Sequence, residues 1–186
     1  MKVKNEWNLP PLFSQDKPFI KEYHRQMKNC TDPFGRKDTI HFCGTAMILN
    51  REKTHVLMIY HKIYDSWSFP GGHADGEEDL LLVGKKEAKE ETGISVEPVF
   101  DLAISWDILK VKSHVKHGKI VESHNHLDGT YLYFGDQKEE LEVNLEETKG
   151  VKWIPIKDWE KYVTEDHMMN YYRKVFRRAF TLLGKR

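Results

Sequence analysis

The chain has 186 residues, with 29 basic and 29 acidic side chains and a formal net charge of zero at pH 7. This length fits one domain with a sizeable core and a modest extension, and the balanced charge excludes a global field that would draw duplex nucleic acid or an acidic membrane. Two cysteines, Cys30 and Cys43, are too few for a disulfide framework and lack metal-site spacing. No segment approaches the roughly 18–20 apolar residues needed to span a bilayer, and the first residues contain no apolar stretch, so a cytoplasmic location is the default expectation.

Residues 1–12 are polar and end in Leu9-Pro10-Pro11-Leu12, an irregular arm. From Ser14 to Lys28, Phe19, Ile20, Tyr23 and Met27 fall on one helical face. Asp32-Pro33-Phe34-Gly35 then reads as a turn. We therefore expect an arm and helical extension over 1–38 and a domain over 39–186. The extension is placed to cap the core, with a homodimer contact as the alternative. Strand-like runs follow at Ile40–Leu49 and His55–Tyr60, joined by a hairpin turn over Asn50–Lys53.

A short turn-rich passage, Trp67 to Gly72, leads into an acidic helix. Further strands are expected at Val96–Trp106, Thr130–Phe134 and Val151–Ile154. At the C-terminus, Met168, Tyr172, Val175, Phe176, Ala179 and Leu183 make an apolar stripe, and Arg173, Lys174, Arg177 and Arg178 are assigned to a solvated face. Strands around one functional helix, with another helix closing the far side, imply an α/β/α sandwich.

The acidic helix carries the chemistry. Glu87, Glu90 and Glu91 are spaced i, i+3 and i+4, so three carboxylates share a face where like charges repel. A hard divalent ion such as Mg²⁺ or Mn²⁺ relieves that repulsion and binds carboxylate oxygens while keeping open positions for substrate. Gly71 and Gly72 allow the preceding loop to bend tightly and aim its amides inward. Asp79 is placed to cap the helix, Gly93 to end it, and Gly84 to let it pack closely on the sheet.

The run Gly72, Glu78, Lys86-Glu87, Ala88, Glu90-Glu91, Gly93-Ile94 resembles the Nudix box, with Lys86 where that pattern has arginine. The resemblance implies the Nudix fold, a mixed sheet between helices, and metal-dependent hydrolysis of a diphosphate linkage in a nucleoside diphosphate derivative. It implies Glu87, Glu90 and Glu91 as Mg²⁺ ligands, with Mn²⁺ as a substitute and Glu78 as an ion-pair or outer contact near position 86. Lys86 replaces a planar fork by a point charge, which bears on rate and geometry more than on the metal site.

Other side chains add candidates. Glu146 and Glu147 precede the last strand and are candidates for a general base. His114, His117, His124 and His126 crowd one segment that reads as a mobile substrate loop; His124 and His126 would share one strand face, a spacing able to grip phosphate, with His126 as the contact, or to hold zinc as a second metal, and His73 lies in the glycine loop. Tyr64, Trp67, Phe69 and Trp106 are candidate stacking surfaces for a base, Trp67 foremost beside the box. The expected partner is a small nucleotide-derived diphosphate, with no nucleic-acid duplex and no membrane. An isoprenoid-diphosphate isomerase of the same fold, using Cys43, and a nucleotide-binding module without turnover are the alternatives.

Overall fold

The computed structural model describes residues 12–116 and 119–184. Its elements run in the order α1 (Lys17–Gln26), β1 (Ile40–Asn50), β2 (His55–His61), β3 (Ser66–Ser68), β4 (Gly71–His73), α2 (Leu80–Thr92), β5 (Val96–Pro98), β6 (Ser105–Val111), β7 (His114–Lys116), β8 (Lys119–Val121), β9 (His124–Gly135), β10 (Thr148–Pro155) and α3 (Met169–Gly184). Among these residues no helix is long and apolar enough to cross a membrane.

The sheet is mixed, with the order β10-β2-β1-β9-β5. β1 and β9 pair in parallel along their whole length, from Ile40 opposite Asn125 to Asn50 opposite Gly135. β4 pairs antiparallel with the first half of β1, and β6 with the first half of β9. Alternation along β1 divides its side chains between two cores. Phe42, Ala46 and Ile48 join Leu80, Val83 and Ala88 of α2 and Tyr23 and Met27 of the N-terminal segment on one face. Met47 and Leu49 meet Tyr171, Tyr172, Val175, Phe176 and Ala179 of α3 on the other. The expected sandwich of helices about a mixed sheet is the architecture found.

Local chemistry sets the bounds of α2. The Asp79 carboxylate accepts from the Leu81 amide at 3.0 Å, and Gly93 ends the helix at φ 80° with its amide on the Lys89 carbonyl. At Gly84 a Cβ would lie 2.7 Å from the Tyr133 hydroxyl, so the helix sits closer to the sheet than any side chain allows. That close seat fixes where the second half of α2 presents its glutamates.

Three expectations need correction. The strand expected over Val96–Trp106 is two strands: contact with β9 runs one bond past Pro98, from the Val99 amide to the Leu132 carbonyl, is interrupted, and resumes with the Ile104 amide on the Thr130 carbonyl just ahead of β6. The strand expected at Thr130–Phe134 begins at His124, so the His-rich segment is partly ladder and partly the β7–β8 hairpin; His117 lies outside the described residues. Arg178 does not belong to the solvated face of α3. It is 5% exposed and fork-bonded to a fully buried Asp16 at 2.8 and 2.9 Å, with further donation to the Ile104 carbonyl and the Ser105 hydroxyl. The stretch ahead of α1 is thereby tied to the core, and the N-terminal extension caps it.

Candidate active site

A cleft of about 690 Å³ opens where β1, β4 and β9 meet the second half of α2 and the loop before β10. Lys86, Glu87, Glu90, Glu91, Gly71, Gly72, Glu146 and Glu147 all line it. Helical spacing brings the three glutamates to one side, but their surroundings differ. Glu91 is buried, and its Oε2 accepts from the Gly71 amide at 3.0 Å. Glu87 lies so close over Gly72 that a Cβ there would sit 2.5 Å from its carboxyl carbon. Glu90 is exposed, with its carboxylate 3.7 Å from the Lys86 ammonium. The glycine pair therefore serves this site through a donated amide and through the absence of a side chain.

Burial pushes the Glu87 carboxyl up to about 7, and the neighbouring Glu90 charge adds to it while Lys86 opposes. Burial pushes Glu91 further, to about 8, against the relief given by the Gly71 amide. Two carboxyls held this way resist ionisation until a cation joins them. An all-oxygen donor set of this kind, opening on a cleft, fits a hard divalent ion.

These shifts give a signed pH dependence. Between the ordinary carboxylate value of 4.5 and the raised values, the folded chain holds protons that the unfolded chain has lost, so stability falls as pH rises. Burial moves His41, His73 and His126 the other way, so their contribution rises with pH through the ordinary imidazole value of 6.5 and is complete about one unit above it, while buried Asp128, pushed up to about 7, falls with the glutamates. The glutamate contribution is therefore the difference between the wild type and the doubly substituted Glu87→Gln, Glu91→Gln protein. Between pH 6.5 and 8, the chelator-treated wild type is expected to lose about 2–3 kcal/mol more than that variant. Urea titrations of both proteins at each pH check this. An equal slope in both proteins would contradict the burial argument.

A second group of side chains lines the other end of the cleft. His41 and Cys43 alternate along β1, His126 is the register partner of His41 on β9, and His73 is the partner of Cys43 on β4. Strand alternation puts all four on the α3 side of the sheet. The His41 ring lies 4.8 Å from that of His73 and 5.2 Å from that of His126. Arg36 and Asp75 pair beside them. Burial pushes the His73 ring down to about 3, so it is neutral at physiological pH.

The remaining candidates separate by position. Tyr64 lines the cleft and stacks on His61 at 4.3 Å; burial lifts its hydroxyl to about 12. Phe69 lines it from the core side. Trp67 is not part of the lining and packs edge-on against Tyr60 and Tyr162, and Trp106 is buried against Tyr23. Glu78 is exposed and lies outside the lining too. Glu147 contributes charge to both Glu87 and Glu91, as expected of a carboxylate facing them. His41 and Asp75 were missed by sequence reasoning; His41 carried one signal, the alternation with Cys43 on a single strand.

A NUDIX domain model matches residues 41–178. Among solved structures, a NUDIX-family hydrolase from Clostridium perfringens has a TM-score of 0.54 at 21% identity, covering 73% of this chain and 95% of its own. A C. elegans Ap4A hydrolase gives 0.54 at 18% identity, covering 78% and 98%. The NUDIX domain of Shewanella oneidensis NrtR, solved with ADP ribose, gives 0.53 at 15%, covering 83% and 97%. No curated protein matches the chain. At these identities the structural likeness establishes a shared fold.

Proposed function

The chain belongs to the NUDIX family, and on that premise we propose that it is a Mg²⁺-dependent hydrolase of the diphosphate linkage in a nucleoside diphosphate derivative. The observation that carries the proposal is the pairing of half-buried Glu87 with buried Glu91, held against Gly72 and Gly71 inside the cleft. The structural relatives that act on Ap4A or bind ADP ribose support the nucleotide part of the reading.

Glu87, Glu90 and Glu91 would hold the cation, which when bound neutralises phosphoryl oxygens and acidifies a water. Glu91 is oriented by the Gly71 amide, so its carboxylate is fixed before substrate arrives. Glu87 is confined over Gly72. Lys86 screens Glu90 as a flexible point charge, where an arginine would grip a carboxylate with two parallel bonds. To Glu146 or Glu147, which line the same cleft, we assign the role of taking a proton from the attacking water. Tyr64, stacked on His61, offers a ring face for the base, a role we assign to it ahead of Trp67.

A panel of nucleoside triphosphates, dinucleotides, ADP-ribose, nucleotide sugars and isoprenoid diphosphates, assayed with Mg²⁺ and with chelator, tests this. Cation-dependent release of a nucleoside monophosphate or diphosphate from a panel member is the expected result. Isomerisation of an isoprenoid diphosphate without phosphate release, or tight nucleotide binding with no turnover under Mg²⁺ or Mn²⁺, would replace it.

A further inference from the structure

We propose that His41, Cys43, His73 and His126 form a binding site for a zinc-type transition-metal cation, separate from the carboxylate pair on α2. One ligand atom from each of the four lies within 4.8 Å of the others. Three nitrogens and a sulfur are the donor set of four-coordinate zinc, and a filled tetrahedral site holds its donors roughly 3.3–3.6 Å apart. A contraction of at most about 1.2–1.5 Å closes that gap, which rotation of side chains on a rigid sheet supplies.

The register makes the cluster. β4, β1 and β9 are neighbours, and Cys43 opposite His73, with His41 opposite His126, steps the four side chains diagonally across three strands on one face. Glu87 lies over Gly72, the residue before His73, and successive strand residues point to opposite faces. The two donor sets therefore flank β4 from its two sides, one of oxygen and one of nitrogen and sulfur.

An independent observation points into the cluster. His41 is 4% exposed, and its Nε2 is buried with no hydrogen-bond partner, while its Nδ1 is 3.1 Å from the Asp38 carbonyl. The carbonyl accepts a hydrogen bond from Nδ1–H, so the neutral ring carries its proton there and leaves the Nε2 lone pair bare. A backbone carbonyl holding the far nitrogen is the arrangement that orients a histidine ligand. His124 repeats it at one remove. Its Nδ1 donates to the Glu122 carbonyl at 2.8 Å, so its Nε2 accepts from His126 Nε2 at 3.1 Å and leaves Nδ1 of His126 as the lone-pair nitrogen.

Charge is consistent with a cation there. Burial keeps the His41, His73 and His126 rings neutral and therefore nucleophilic. Arg36, the nearest fixed positive charge acting on the cluster, is bound by Asp75. Cys43, 3% exposed, holds its proton because burial pushes the thiol up, and would release it as the metal binds, giving one thiolate to set against a divalent charge.

The test is a cobalt titration of the full-length, chelator-stripped wild-type protein, read by absorption. Expected are one equivalent of tight binding, the intense visible bands of four-coordinate Co²⁺, and a thiolate-to-cobalt band in the near ultraviolet. Cys43→Ser should remove the ultraviolet band and keep the visible ones, and His73→Asn should weaken binding at least tenfold. The Glu87→Gln, Glu91→Gln protein should give the wild-type spectrum, which separates this site from the proposed hydrolytic one. A weak six-coordinate spectrum in the wild type, or bands that vanish with the glutamate changes, would overturn the proposal. The wild-type spectrum alone distinguishes a four-coordinate thiolate site from a six-coordinate one, whether or not a variant folds.

Discussion

Glu91→Gln is expected to lower turnover of the nucleotide substrate roughly 10²–10³-fold, the usual loss when one preorganised group acting on transition-state charge is removed. The change keeps the side-chain shape, and the amide oxygen can still accept from the Gly71 amide that now holds Glu91 at 3.0 Å. It also removes a buried carboxyl that burial has raised to about 8, so at pH 8 without added metal the variant should be at least as stable as the wild type. Loss of turnover with retained stability is the signature of a functional carboxylate. Glu78→Gln, at an exposed position outside the cleft lining, should cost far less. Full activity of Glu91→Gln at saturating Mg²⁺ would remove Glu91 from the site.

Arg178→Ala is the corresponding test of the scaffold and is expected to cost about 3–5 kcal/mol, because it leaves a buried carboxylate without its partner. Asp16 is fully buried, and Arg178 is its fork-bonded neighbour across 162 residues of sequence. The same guanidinium also donates to Ile104 and Ser105, at the start of β6, so its loss exposes unsatisfied groups in three places. Urea unfolding monitored by tryptophan fluorescence measures the loss. The double replacement Asp16→Leu, Arg178→Met should recover much of it, since an apolar pair of similar volume avoids the desolvation penalty. A loss below about 1 kcal/mol in the single variant would mean that the pair contributes no more than a surface ion pair.

These two residues also mark what is legible in the chain. The box was readable because its geometry is local: three glutamates at i, i+3 and i+4, a capping Asp79 and a terminal Gly93 all belong to one helix and its two ends. The seat of that helix was half readable. Gly84 announced a close approach, but only the fold supplies Tyr133, nearly fifty positions later, as what it approaches. Arg178 was misassigned because helical periodicity cannot see a carboxylate at the far end of the sequence. Trp67 was chosen as a stacking surface from its nearness to the box, yet the β2–β3 pairing turns it toward Tyr60 and Tyr162.

The histidine cluster is the clearest case. His124 and His126 could be seen to share a strand face, and His73 to lie in the glycine loop. What joins them to His41 and Cys43 is the parallel pairing of β1 with β9 and the short antiparallel pairing of β1 with β4. Parallel register between distant strands is set by the whole core, so no window of sequence contains it.

The proposed reaction adds water across a phosphoanhydride of a nucleotide derivative, so the decisive readout is where the oxygen of that water goes. Hydrolysis in ¹⁸O-labelled water with Mg²⁺, followed by ³¹P magnetic resonance of the products, supplies it. Expected is one labelled phosphoryl product per turnover, with the label on phosphorus and no turnover in chelator. Label in a non-phosphoryl product, or no cleavage of any nucleotide diphosphate derivative under Mg²⁺ or Mn²⁺, would contradict the proposed hydrolysis.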